Sequence, residues 1–319
     1  MLKRIEIKNF ESHKHTVIED ISDGLNLIRG ESNVGKCLTG DTIVIDKDGS
    51  WRTIKDMFSK SKWQVPSLKD NKFSFVQVSC ISANGEKPVY LLKTKLGKTI
   101  KATSNHKFFT SAGWKELKDL RKDDWVGVAK CVPVFGSKKL PKGHEKLLGY
   151  LNGSNDFDTS CLDIQERNIV EGFKRIIFST EKKFNVEKFY PAPCNIKPGV
   201  LIFSIQYGLM TEVLGKKVPR AIFSATKEDI KDFIRGLFVS DGWVKKNTEN
   251  IEIGFNLFSE ILSQQVSHLL LRLGIVSSIT KEGSKKYIIS ICRKDFVYKL
   301  SKILGFEFNK ERSEMLRQA

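Results

Sequence analysis

The chain has 319 residues, 40% of them hydrophobic, and carries 54 Lys and Arg against 37 Asp and Glu, a net charge of +17. That apolar share fills real cores and excludes wholesale disorder, and the length suits two or three domains. The basic excess favours a polyanionic partner, nucleic acid being the usual one, although a soluble basic protein is the plainer reading of the same charge. Six cysteines (Cys37, Cys80, Cys131, Cys161, Cys194 and Cys292) form no C-x-x-C pair, so no zinc site of that pattern is expected, and their scatter fits a reducing cytosol. No apolar run is long enough to cross a bilayer, and Met1-Leu2-Lys3-Arg4-Ile5-Glu6 is charged and alternating, unlike a secretory leader.

Ile5, Ile7 and Phe10 alternate with polar residues and predict a strand; Val17-Ile18 and Leu25-Asn26-Leu27-Ile28 predict two more. Gly30-Glu31-Ser32-Asn33-Val34-Gly35-Lys36 follows and fits G-x-x-x-x-G-K, a loop that cradles phosphate through backbone N–H groups and an ammonium supplied by Gly30, Gly35 and Lys36. The next position should be the Mg²⁺-binding Ser or Thr of a new helix. Cys37 stands there instead, and Leu38-Thr39-Gly40-Asp41-Thr42-Ile43-Val44-Ile45 reads as turn then strand. The motif therefore breaks at the bond between Lys36 and Cys37.

From Cys37 to about Pro133 the pattern is mainly β, with a hairpin over 89–103 that turns near Leu96-Gly97-Lys98 and another strand at 125–128. The small, basic stretch 136–143, broken by Pro141 and Gly143, predicts a linker. Beyond it the pattern is mixed α/β. Leucines over 145–153 have helical spacing. Thr226 caps a helix whose apolar face is Ile230, Phe233, Ile234 and Leu237. Helices over 266–273 and 296–304 end at Gly274 and Gly305, and strands fall at 200–207, 251–257 and 286–292; the helices over 145–153 and from Thr226 end in similar motifs, roughly ninety residues apart, which suggests an internal duplication.

Two constellations carry chemistry. Cys37 followed by Leu38-Thr39-Gly40-Asp41-Thr42 resembles the start of an intein, and Thr103-Ser104-Asn105-His106 matches the intein motif T-x-x-H in order and context. The resemblance implies an all-β Hint horseshoe and these roles: Cys37 is the nucleophile of an N–S acyl shift at the scissile Lys36–Cys37 bond, Thr103 holds that peptide, and His106 protonates the departing nitrogen. A lone Cys or His is more often a packed or surface residue, but both stand where a phosphate loop is interrupted. Splicing would restore a Ser or Thr after Lys36, and residues 1–36 resemble the opening of SMC-like ATPases that partner recombination nucleases.

The second constellation is Ile234-Arg235-Gly236-Leu237-Phe238-Val239-Ser240-Asp241-Gly242, which resembles the LAGLIDADG helix of homing endonucleases; Lys217-Val218-Pro219-Arg220 and Leu270-Leu271-Arg272-Leu273-Gly274-Ile275 also resemble that family. The family's α/β, duplicated αββαββα-type fold pairs two such helices through glycines and sets an acid at each C-terminal end to hold divalent metal. Here Gly236 supplies the contact and Asp241 the acid. The first copy is Leu147-Leu148-Gly149-Tyr150-Leu151-Asn152-Gly153-Ser154-Asn155, with Ser154 at the acid's position and Asp156 as the nearby substitute ligand. Asp241 before Gly242 also reads simply as a helix-end acid.

The resemblances imply an N-extein stub over 1–36, a splicing domain over 37–135 and an endonuclease-type domain over 136–319. Splicing needs no cofactor; cleavage of DNA would need Mg²⁺. The expected partners are double-stranded DNA and a C-terminal intein fragment acting in trans, because no terminal His-Asn and downstream nucleophile close this sequence, a truncated reading frame being the alternative; a monomer in the cytoplasm, of a phage-infected cell or another, is expected. The alternatives are a site-specific DNA endonuclease or DNA-binding protein whose splicing region is inactive, and a nucleotide-binding module.

Overall fold

The structure, a computed structural model, describes residues 5–10, 13–18, 37–58, 63–69, 72–78, 81–83, 85–153, 171–178, 217–246, 250–305, 314–315 and 317. The first strands are β1 (Ile5–Phe10), β2 (His13–Ile18), β3 (Ile43–Ile45) and β4 (Trp51–Thr53), followed by the short helix α1 (Ile54–Phe58). Six more strands come next: β5 (Gln64–Lys69), β6 (Lys72–Gln77), β7 (Val89–Lys93), β8 (Thr99–Thr103), β9 (Lys107–Thr110) and β10 (Gly113–Glu116). Helix α2 (His144–Gly153) opens the mixed region, and α3 (Lys227–Asp241), β11 (Gly242–Lys246), β12 (Ile251–Leu257), α4 (Glu260–Arg272), β13 (Ser278–Glu282), β14 (Lys286–Ile291) and α5 (Lys294–Leu304) complete it in the order αββαββα. The expected strand at 25–28, the phosphate loop, Lys36 and the strand at 200–207 lie outside the described residues.

The chain divides into two compact units. One comprises Met1–Thr42, Cys80–Lys93 and Thr99–Val128; the other comprises Ile43–Ser79, Thr94–Lys98 and Ala129–Ala319. The first holds antiparallel pairs: β1 with β2, β7 with β8 and β10 with β9. The β1–β2 and β7–β8 pairs run where the alternating sequence predicts them, with Ile5 opposite Ile18 and Val89 opposite Thr103; the strand expected at 125–128 is instead a single bridge of Val126 to Thr110, beside the hairpin of β9 and β10 that the alternation did not predict.

The second unit is organised by a four-stranded antiparallel sheet in the order β11-β12-β14-β13. Period-two alternation decides its faces. Ile253, Phe255, Leu257, Ile289 and Ile291 point into the core, where they meet Leu262, Val266, Leu269 and Leu270 of α4 and Phe296, Val297 and Leu300 of α5. Helix α3 begins where the sequence places its cap: the Thr226 side chain accepts from the Asp229 amide, and Ile230, Phe233, Ile234 and Leu237 are all fully buried. Helix α4 starts earlier than its apolar run suggests, because the Ser259 side chain accepts from the Leu262 amide and caps a turn before the run begins.

Helices α2 and α3 pack at very close range. A Cβ on Gly149 would fall onto the carbonyl oxygen of Phe233, and one on Gly236 would fall onto that of Lys146. Backbones this near admit only glycine at the crossing.

Candidate functional sites

In the first unit, the site forms where Cys37-Leu38 lies beside β8. Leu38 pairs with Ala102 in an antiparallel bridge. One step along, the Thr103 amide donates to the Cys37 carbonyl at 3.2 Å, and the Thr103 hydroxyl reaches the same oxygen at 3.4 Å. Thr103 thus holds the carbonyl of Cys37 itself; that of Lys36 lies outside the described residues. His106 is tied to the same threonine, because its amide donates to the Thr103 carbonyl at 3.0 Å. Its carbonyl in turn accepts from Leu117, its Nδ1 is buried, and its ring lies 5.1 Å from that of Phe108. Cys37 and His106 are both half-buried, while Thr103 is buried.

The turn that follows Cys37 closes through the Thr42 amide on the Thr39 carbonyl at 2.9 Å and through a hydroxyl pair between Thr39 and Thr42 at 3.1 Å. Asp41, at its apex, meets the Lys101 ammonium of β8 at 3.0 Å. The Thr39 hydroxyl, and then Lys101, hold the Asp41 carboxyl below the usual carboxylate range. Sequence reading gave Asp41 no role beyond the motif, since nothing along the chain pairs it with a residue of β8.

In the second unit, α2 and α3 also meet at their C-terminal ends. A Cβ on Gly153 would collide with the Asp241 carboxylate and the Ser240 hydroxyl. The Ser240 hydroxyl donates to the Leu237 carbonyl and lies 3.1 Å from Asp241 Oδ2. Asp241 therefore stands over the C-terminal end of α2. Ser154 and Asp156 lie outside the described residues. Among the described residues no group of three His, Cys, Asp or Glu side chains is placed to hold a metal ion.

The segment from α3 through α5 has a counterpart among known families. Residues 228–305 match the LAGLIDADG-like domain. Over 297 residues the chain is 28% identical to the replicative DNA helicase DnaB of Rhodothermus marinus, covering 84% of this chain and 32% of that protein. Over 285 residues it is 27% identical to the protein RecA of Mycobacterium tuberculosis, covering 82% and 36%. The chain thus spans about a third of the length of these curated relatives. Among solved structures it is similar to a DnaB intein from Synechocystis sp. PCC 6803, at 34% identity over 29% of this chain and 67% of that one with a TM-score of 0.28. It is also similar to the G-1F mutant of the Ssp DnaB mini-intein variant M86, at 31% identity over 33% and 72% with a TM-score of 0.29.

Within the unit that contains the LAGLIDADG-like domain, Arg272 is the largest fully buried side chain, 1% exposed. Its Nη1 donates to the Phe223 carbonyl at 2.7 Å, its Nη2 to the Gly49 carbonyl at 2.5 Å and its Nε to His268 Nε2 at 3.1 Å. An imidazole that accepts through Nε2 is neutral. Burial, followed by the positive charges of Arg272 and Lys98, pushes the His268 pKa down to about 3. Burial likewise brings Arg272 down to about 10. The Trp51 ring stacks on Phe223 at 4.8 Å and lies 5.0 Å from His268. These contacts tie the turn between β3 and β4 to α4, which is why residues 43–79 group with this unit.

The opposite face of the four-stranded sheet carries the positions that alternate with the core residues: Trp243 and Lys245 on β11, Glu252 and Asn256 on β12, Ser278, Thr280 and Glu282 on β13, and Lys286, Ile288 and Ser290 on β14, with Glu252 directly opposite Lys245. The Trp243 ring lies over Gly254, where any side chain would collide with it, and the Lys245 ammonium sits 4.9 Å from the ring centroid. No helix among the described residues is long and apolar enough to cross a membrane.

Proposed function

We propose that the chain is the N-terminal part of an intein-containing precursor, in which Cys37 attacks the Lys36 carbonyl and residues 1–36 are the start of a P-loop ATPase. The observation that carries this reading is the joint hold of Thr103 on Cys37 and His106, at 3.2 and 3.0 Å through its amide and carbonyl. The Cys37 sulfur forms a bond to the Lys36 carbonyl carbon, and the Lys36–Cys37 C–N bond breaks. The thiol proton passes to the departing nitrogen, which becomes the free amine of Cys37; His106 is the group that delivers it. Thr103 fixes the Cys37 backbone, so the attack geometry is set before reaction. A C-terminal intein segment completes the Hint horseshoe and brings the asparagine and second nucleophile of the later steps. In the test, thiol treatment should release residues 1–36 from the wild-type chain with that segment, and Cys37→Ala should release nothing. Release from the alanine variant would sink the proposal.

A second activity is favoured by the LAGLIDADG-like match and the polar, lysine-bearing sheet face. Over 136–319 the chain binds double-stranded DNA there, with Lys245 among the phosphate contacts and the polar side chains toward the bases. As for metal, Asp241 is the one acid of the paired-helix end among the described residues, half of what a two-acid Mg²⁺ site needs. Mg²⁺ held by Asp241 with Asp156 is the corresponding assignment, and no cleavage step is built on it. Fluorescence anisotropy with duplex DNA should show binding at low salt that weakens steeply as salt rises. Absence of binding at low salt would remove this activity and leave the splicing reading intact.

A further inference from the structure

β13 ends the four-stranded sheet, so it pairs with β14 on one side and turns an edge to the other. The β7–β8 turn lies on that edge. The Ile279 amide of β13 donates to the Leu96 carbonyl at 3.0 Å. Gly97 comes so close that a Cβ there would fall onto the Ile279 carbonyl oxygen, and its φ of +78° also favours glycine. A loop laid on a sheet edge in this way covers groups that would otherwise pair with another chain.

Lys98 fixes the turn a second time. Its ammonium donates to the Ser267 hydroxyl of α4 at 3.4 Å, and Ser267 is paired at 2.8 Å with Ser277, the residue before β13. Both serines are buried, and burial holds the Lys98 pKa below the usual lysine range. The turn is closed within itself by the Thr94 amide on the Lys98 carbonyl and the Gly97 amide on the Thr94 carbonyl, each at 2.9 Å. Thr94–Lys98 accordingly group with the unit that holds the LAGLIDADG-like domain. From Lys98 the chain runs straight into β8, whose last residue, Thr103, holds the Cys37 carbonyl.

The two neighbours of Ile279, Ser278 and Thr280, stand on the polar sheet face to which duplex DNA is assigned above. We propose that the β7–β8 turn makes the chemistry of Cys37 responsive to DNA. A duplex on the sheet face steadies β13 and the turn seated on it, and β8, a continuous paired strand, carries that restraint to Thr103. This coupling rests on both readings above, splicing at Cys37 and DNA binding on the sheet.

The test uses the full chain with the C-terminal intein segment. Its readouts are thiol-induced release of residues 1–36 and hydrogen exchange at the Thr103 amide. Saturating mixed-sequence duplex DNA at low salt, its binding followed by anisotropy in the same samples, should speed release and slow exchange, each by about two- to fivefold. Gly97→Ala unseats the turn from Ile279, and Lys98→Met removes the ammonium while keeping the apolar stem, a milder change should the alanine unsettle the fold. Each variant should still bind the duplex and lose both of its effects. A duplex that binds and changes neither rate, slows release, or acts equally on wild type and variants would overturn the coupling and leave both readings standing. Slower exchange with DNA in a chain that releases nothing would support the coupling and count against splicing alone. Failure of the duplex to bind would remove the DNA reading and the coupling with it.

Discussion

Thr103 directs two donors at one oxygen of Cys37, its amide at 3.2 Å and its hydroxyl at 3.4 Å. The backbone bond belongs to the strand pairing and survives any substitution except proline. The hydroxyl bond is the part that the side chain adds. Thr103→Val keeps the β-branched shape and removes only that donor. It should slow release of residues 1–36 by roughly three- to tenfold, the range of one hydrogen bond, while far-UV circular dichroism stays unchanged. An unaltered rate would mean that the hydroxyl plays no part in holding Cys37.

The α2–α3 crossing predicts a sharp contrast among glycines. Gly236→Ala drives a methyl into the Lys146 carbonyl, and Gly149→Ala does the same at Phe233. Each should cost about 1–3 kcal/mol in chemical denaturation, and more where the helices cannot part. Gly172→Ala is the control: it stands in the helical stretch 171–178 with nothing within 4 Å of the added carbon. There the better helix propensity of alanine should make the change neutral or mildly stabilising.

Acid should weaken the second unit through His268. Its folded pKa, about 3, lies below its ordinary value of 6.5, so below 6.5 the unfolded chain binds a proton that the folded chain refuses. Stability is therefore present above 6.5 and falls as pH drops toward 3, by at most about 1.4 kcal/mol per pH unit. Thermal unfolding between pH 7 and pH 4.5 reads this slope. His268→Gln offers Arg272 an amide oxygen in place of the imidazole and does not titrate, so it should flatten that part of the profile. A slope unchanged by the substitution would show that other groups govern the acid limb.

What the sequence made legible were features whose signal is local. The hairpin of β7 and β8 was visible from its alternation and its turn, where Gly97 adopts a φ of +78°. The Thr226 cap and the apolar face of α3 were equally plain, as was Gly274 at the end of α4, with a φ of +77°. The resemblance of residues 234–242 to the LAGLIDADG helix anticipated the close crossing at Gly236. Grouping residues 43–79 with the mixed α/β unit was not legible. It depends on a buried guanidinium bonded to the carbonyls of Gly49 and Phe223, and a carbonyl carries no sequence signal. The Asp41–Lys101 pair was hidden for a related reason, its two residues being joined only once Leu38 is set against Ala102.

The central claim is that Cys37 can convert the Lys36–Cys37 amide into a thioester. The direct measurement is mass spectrometry of the purified chain with and without a strong thiol, alone and with a synthetic C-terminal intein segment. The account predicts a new species with the mass of residues 1–36 carrying the thiol, formed when the segment is present and absent from His106→Ala and Cys37→Ala. A wild-type chain that stays intact under every condition would contradict it and leave DNA binding as the chain's remaining activity.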